Sequence, residues 1–159
     1  VCYAGGATSN GTNADGAAPI FADAIALKTA VAKNNGLSGN LAFLTTPNVA
    51  GVWQLAKRDA GSGLFTWDAD NSRVAGYQAY ENSNVPSNLE KGSSGTTLSA
   101  IIFGDFSNVI IAQWGGLEIL TDSITQALTG TTRLVANTYT DIGIVQPKKF
   151  AVIKDAIAA

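Results

Sequence analysis

The first candidate for chemistry in this chain is Asp105, a carboxylate in the stretch Gly104-Asp105-Phe106-Ser107-Asn108, set between two apolar runs. A kinase metal-binding loop reads Asp-Phe-Gly and needs a glycine-rich loop, a strand lysine and a catalytic loop beside it. Here the order is reversed and the companions are missing. Gly, Asp, Ser and Asn are also turn formers, because they tolerate unusual backbone angles or bond nearby amides. These residues therefore predict a hairpin turn in which Asp105 redirects the chain. Asp68, Asp70 and Ser72 alternate as in the opening of a calcium loop, but Arg73 stands where an EF-hand needs glycine and no glutamate follows between Val74 and Ala79. A solvated hairpin tip is the better reading. Glu118, Asp122 and Asp141 could pair as a glycosidase acid and nucleophile, and scattered surface carboxylates account for them more simply.

The remaining reactive groups narrow the chemistry further. With no histidine, the usual proton shuttle near neutral pH is missing and Ser-His or Cys-His catalysis cannot be built within the chain. The same lack of ligands disfavours zinc. The glycines of the first sixteen residues lack the Gly-Lys-Ser/Thr of a phosphate-cradling loop and follow no strand, so they fit a flexible linker. Asn10-Gly11-Thr12 matches a glycosylation acceptor, which a cytoplasmic chain would not use. Of the tryptophans, Trp53 lies on the apolar face of a helix and Trp114 closes an apolar strand, which places both in the core. Trp67, beside acidic residues, is the one expected at the surface. No catalytic, cofactor-binding or metal-ligating residue is assigned.

Composition sets the wider frame. The 159 residues carry 10 Lys plus Arg against 12 Asp plus Glu, a formal charge of -2. That sign is wrong for gripping nucleic acid by its phosphates, and Lys57-Arg58 and Lys148-Lys149 are pairs rather than a basic stripe. Charged residues make up 14% of the chain and hydrophobic ones 46%, where about 25% charged is usual. Either the surface is neutral and polar, or neighbouring subunits cover much of it. One cysteine, Cys2, and no signal-like apolar segment point to a reducing cytoplasm. The absence of methionine, even at position 1, suggests that these residues are part of a longer product.

The elements that would position these groups can be read in order. Residues 1–18 form a flexible leading segment. Ile20, Phe21, Ala24, Ile25, Leu27 and Val31 recur at helical spacing, with Pro19 in the first turn and Gly36 as C-cap. Residues 40–46 predict a buried strand. Thr46 as N-cap and Pro47 at N1 open a second helix that stops near Gly61. Two strands around the turn at Asp68–Ser72 and a long polar loop follow. Next comes a predicted meander of Ser99–Phe103, Val109–Trp114 and Leu117–Leu120, separated by Gly-Asp-Phe-Ser-Asn and Gly-Gly. Thr131–Val145 is a longer extended segment, with Leu134, Ala136, Ile142 and Ile144 on one side and Arg133, Asn137, Tyr139 and Asp141 on the other. Residues 148–155 make the last strand. No apolar run approaches the length of a membrane span.

From Ile20 to Asp155 the order and spacing of these segments resemble the C-terminal half of the major capsid proteins of tailed bacteriophages. The resemblance runs through the helix start at Thr46-Pro47, the turn at Asp59–Gly61, Gly76-Tyr77-Gln78-Ala79, Gly104-Asp105-Phe106-Ser107 and the closing stretch Tyr139–Phe150. Each motif is weak alone; their sequence over most of the chain is specific. Gln78-Ala79 replaces the family's Pro-Val, Tyr139 stands where Arg is common, and Lys148-Lys149 replaces a residue-Ala pair. Some members weld subunits through Lys-Asn isopeptide bonds. Gly130 and Asn137 occupy the corresponding strand, so that reaction is not carried over.

The resemblance implies an α+β fold of the phage major-capsid type. A mixed sheet with flanking helices would form an axial domain over residues 19–130, and residues 131–159 would supply strands of a partial β-rich peripheral domain. It also implies a structural subunit that self-assembles into pentamers and hexamers of an icosahedral shell. That shell would enclose double-stranded DNA without sequence-specific binding, without cofactors and without a membrane. Partners would be copies of the chain, with scaffolding, portal or decoration proteins beside them, assembled in the bacterial host cytoplasm into a virion. The competing readings are an encapsulin-like nanocompartment shell and a carbohydrate-binding β-rich module.

Overall fold

The computed structural model describes residues 2–3, 16–59, 61, 63–93, 95, 97–122 and 124–158. Among these the chain order is β1 (Cys2–Tyr3), α1 (Phe21–Ala32), β2 (Leu41–Thr45), α2 (Pro47–Leu55), β3 (Trp67–Asp68), β4 (Arg73–Val74), β5 (Tyr77–Glu81), β6 (Leu98–Asp105), β7 (Val109–Asp122), β8 (Arg133–Ile144) and β9 (Phe150–Ile157). One-turn 3-10 segments lie at Phe106–Asn108, Ala127–Thr129 and Pro147–Lys149. This is the expected mixed α+β architecture. It divides into two compact units, one running through Ser107 and resuming at Gln146, the other Asn108–Val145.

The first unit is a mixed sheet in the order β1-β9-β6-β2-β5-β4-β3. The pairs β1/β9 and β2/β5 are parallel; the others are antiparallel. β6 is central and buried along nearly its whole length, as the near-continuous apolar run Leu98–Phe103 requires of a strand covered on both faces. Phe43 of β2 faces Phe103 of β6 in register, their rings 4.4 Å apart, and Trp53 of α2 meets Phe43 edge-on at 6.2 Å. Ala24, Leu27 and Val31 of α1 complete this core at helical spacing.

Both helices end for local reasons. Ile20 is the N-cap of α1, so Pro19 lies just ahead of the helix rather than in its first turn. Asp23 reaches back to accept the Ile20 N–H at 2.7 Å. At the other end, the Asn35 and Gly36 N–H groups bond to the Ala32 and Val31 carbonyls at 2.9 and 3.0 Å, and Asn35 takes the left-handed conformation at φ 53°. This is a Schellman ending with Asn in the place expected for glycine. Gly36 serves a different need, since a Cβ there would meet Val31 at 2.7 Å. Thr46 caps α2 by accepting the Val49 N–H, with Pro47 at N1. The helix ends at Leu55, six residues before the predicted stop, and the Thr66 N–H then bonds to the Ala56 carbonyl.

The predicted meander is corrected by strand pairing. β6 pairs with β2 and β9, whereas β7 pairs only with β8 in a separate two-stranded ribbon. Residues 104–108 therefore leave one sheet for another instead of closing a hairpin. The two apolar segments 109–114 and 117–120 are one strand, in which Gly115 and Gly116 form an irregularity and do not turn the chain. Trp114 pairs with Tyr139 and Glu118 with Asn137, so β7 carries two extra residues between those pairs. An even insertion keeps the face assignment of every later side chain. The last strand starts at Phe150, after the 3-10 turn that takes up Lys148 and Lys149.

Candidate assembly surface

Asp105 is structural and central. Its carboxylate is 1% exposed. Oδ1 accepts the Asn40 N–H at 2.9 Å, the Ser107 N–H at 3.2 Å and the Ser107 hydroxyl. Oδ2 takes the Lys149 ammonium at 3.2 Å, and the same ammonium donates to Ser38 Oγ at 3.0 Å. Burial would raise this carboxyl, but hydrogen bonds from Ser107, Lys149 and Asn40 outweigh it and hold it below the usual carboxylate range. A carboxylate so saturated with donors is an anchor. Gly39 is required beside it: its φ is +87° and any Cβ would fall inside the carboxylate. Sequence reading found Asp105 but missed Lys149, Asn40 and Gly39, which lie far from it along the chain.

The other carboxylates do not converge. Asp68 accepts the Asp70 N–H at 3.2 Å and the Asn71 amide at 2.9 Å, closing the β3–β4 turn; the Asn71 bond is the main cause of its lowered pKa. Asp122 caps the turn after β7 by accepting the Ile124 and Thr125 N–H groups at 3.0 Å, and its pKa is lowered chiefly by the Thr125 hydroxyl. Glu118 pairs with Asn137, Asp122 with Arg133 and Asp141 with Ala112. Glu118 is four residues from Asp122 and its partner Asn137 is four from Asp141, spacings of about 13 Å along a strand, too wide for a glycosidase pair.

Two of the three tryptophans are exchanged relative to expectation. Trp53 is fully buried as predicted. Trp67 is only 5% exposed and Trp114 is 57% exposed. Trp67 forms the wall of an open groove of about 620 Å³ with Gln54, Leu55 and Arg58, and its ring is not free to stack on a sugar. The basic pairs also part company. Arg58 donates to the Phe65 carbonyl at 2.8 Å and lies over the Phe21 ring, while Lys149 serves Asp105. Asn10-Gly11-Thr12 lies outside the described residues.

The β7–β8 ribbon is the largest uncovered apolar feature among the described residues. One face carries Val109, Ile111, Ile119, Leu134, Ala136, Ile142 and Ile144 with Gln113 and Thr121, Thr138 and Thr140; it bears no charge. The other carries Ile110, Trp114, Leu120, Val135 and Tyr139 together with Glu118, Asp122, Arg133 and Asp141. Ile111 and Ile142, partners in register, are 72% and 66% exposed. A two-stranded ribbon is marginal in water on its own, and apolar side chains on both faces mark an interaction surface.

Comparison with known proteins shows the family. The model of the phage capsid family matches residues 3–155. The chain belongs to the phage capsid family. This capsid-family chain is 24% identical over 138 residues to the major capsid protein of Halomonas phage phiHAP-1, covering 86% of itself and 20% of that relative. It thus spans about a fifth of the curated relative and about half of the solved chains it resembles. It superimposes on the capsid of an empty GTA particle with a TM-score of 0.61 at 23% identity, over 98% of this chain and 47% of that one. A Mycobacterium phage Che8 structure gives 0.59 at 15% identity, over 94% and 51%. These likenesses establish the fold. In this capsid-family chain Asn137 faces Glu118 on the exposed ribbon and Gly130 sits in a left-handed turn at φ 66°.

Proposed function

We propose that this chain acts as a structural part of the shell of a tailed phage or prophage, self-assembling through pentamers and hexamers around double-stranded DNA. The observation that carries this reading is the ribbon of residues 108–145, whose apolar faces gain stability only when other parts of an assembly cover them. Family membership supplies the context. In this reading residues 19–130 correspond to an axial-type domain and 131–159 contribute peripheral-type strands, while contacts within the chain group 108–145 as a unit of its own. Many weak, repeated contacts suit the role, because a closed lattice multiplies modest interfaces. The low charge fraction also reduces the desolvation cost where subunits meet.

The partners in this reading are copies of the same protein, with scaffolding, portal or decoration proteins joining them. Assembly takes place in the bacterial cytoplasm and the product resides in the virion. Sedimentation of the full gene product expressed alone tests the proposal. Species far heavier than one chain support it, and a single-chain species at every protein and salt concentration overturns it. Nuclease-protected double-stranded DNA in particles from the phage-producing host separates a genome container from an encapsulin-like compartment, which would hold protein.

A further inference from the structure

We propose that a niche formed by Trp114, Asp141 and Gly143 on the acidic face of the β7–β8 ribbon receives an arginine side chain presented by a partner protein chain. The site lies wholly within the second unit, and the inference does not depend on reading the chain as part of a shell.

The register of the ribbon brings these residues together. Trp114 faces Tyr139, Ala112 faces Asp141 and Ile110 faces Gly143, all on one face. Trp114 and Asp141 are diagonal neighbours there, at a spacing of about 7–8 Å that an aromatic side chain spans. They line a shallow depression of about 350 Å³ together with the small residues Ala112 and Gly143 and the apolar side chains of Ile110 and Val145. Ile110, Trp114 and Val145 are each more than half exposed. Gly143 is the residue that the chain itself does not explain. Glycine inside a strand costs backbone entropy and forgoes packing, and it marks places where another group approaches closely. Here the backbone is not left-handed, and a Cβ would meet nothing within 4 Å. The glycine keeps the space over the strand open.

Charge decides what fits that space. This face carries Glu118, Asp122 and Asp141 against Arg133. Arg133 faces Asp122 and is eight residues from Asp141, about 26 Å along the strand and out of reach of the niche. An occupant that covered Asp141 with apolar atoms alone would bury its charge unpaired, at a large desolvation cost. The occupant must therefore bring a cation, and an exposed indole is the best aromatic partner for one. Arginine suits the niche better than lysine. Its guanidinium is planar and weakly hydrated, so it can stack on Trp114 and fork onto a carboxylate, whereas an ammonium keeps its water in so open a place. Asp141 Oδ1 accepts the Ile142 N–H at 2.8 Å, which orients the carboxylate and leaves Oδ2 for the guanidinium. The methylenes of the arginine would lie along Ile110 and Val145.

The test titrates the dilute, unassembled full gene product with acetyl-Leu-Arg-Leu-amide and with the same peptide carrying citrulline, a neutral isostere of arginine. Tryptophan fluorescence is the readout, because Trp53 and Trp67 are buried and Trp114 is exposed. The arginine peptide should bind about fivefold to tenfold more tightly than the citrulline peptide, with a lysine peptide between them. Asp141→Asn should remove the preference, and Trp114→Phe should remove the signal. Gly143→Val places a strand-favouring side chain in open space, so it should keep the urea midpoint and lose the binding. Equal affinity for the arginine and citrulline peptides, no fluorescence response to either, undiminished binding in Gly143→Val, or a response that persists in Trp114→Phe would overturn the proposal.

Discussion

Lys149 Nζ lies 3.2 Å from Asp105 Oδ2, and this ion pair joins the residue that ends β6 to the residue before β9. The chain leaves for the ribbon just after Asp105 and returns just before Lys149, so one buried carboxylate gathers both crossings. Ser107 in the 3-10 turn after β6 and Asn40 ahead of β2 donate to the same group. Removing the carboxylate strands several donors at once. Asp105→Ala should lower stability by about 3 kcal/mol, and Lys149→Met, at a partly exposed position, by about 2 kcal/mol, both read from urea midpoints.

The same pair sets a dependence on acid. Asp105 is held below the ordinary carboxylate range, so its contribution is complete above the unfolded value near pH 4 and is lost as pH falls through the lower folded value. The wild-type midpoint should drop below pH 4, and Asp105→Asn should flatten that drop. Burial raises the Asp23 carboxyl to about 6, so its effect has the opposite sign and the two carboxyls are separable by pH.

Two glycines should respond in opposite directions. Gly39 is at φ +87° with the Asp105 carboxylate where its Cβ would go; Gly39→Ala should cost about 2–4 kcal/mol. Gly51 sits inside α2 with nothing within 4 Å, so Gly51→Ala should raise stability by about 0.5–1 kcal/mol through helix propensity. Thermal unfolding of the two variants distinguishes a glycine required by packing from one that is merely tolerated.

The uncharged face of the ribbon can be spoiled without harming the chain itself. Ile111→Glu and Ile142→Glu each replace a side chain that is mostly exposed, so unfolding of the unassembled protein should change by no more than about 0.5 kcal/mol. Either charge would be buried without a partner in an assembled shell. Light scattering of the full gene product should show loss of large species in both variants.

Much of the fold was legible because its signals are local. Apolar spacing placed α1, and Thr46-Pro47 placed the start of α2 to the residue. What the residues alone did not reveal depends on distant partners. The run after Asp105 reads as the next strand of a meander, since nothing in residues 98–120 records that Phe103 pairs with Phe43 while Ile111 pairs with Ile142. The tryptophans follow the same rule. Trp67 sits among acids yet is buried beside α2, and Trp114 ends an apolar run yet lies on a ribbon open on both faces. Around Asp105, Ser107 is two residues away in sequence, whereas Lys149 is 44 residues away and Asn40 is 65. The resemblance to capsid proteins supplied the fold where local pattern stopped.

Negative-stain electron microscopy of the full gene product expressed alone tests the central claim most directly, that the chain works through the surfaces it offers to its own copies. The account predicts closed shells or capsomer rings. A field of single, uniform monomers under every assembly condition would contradict it.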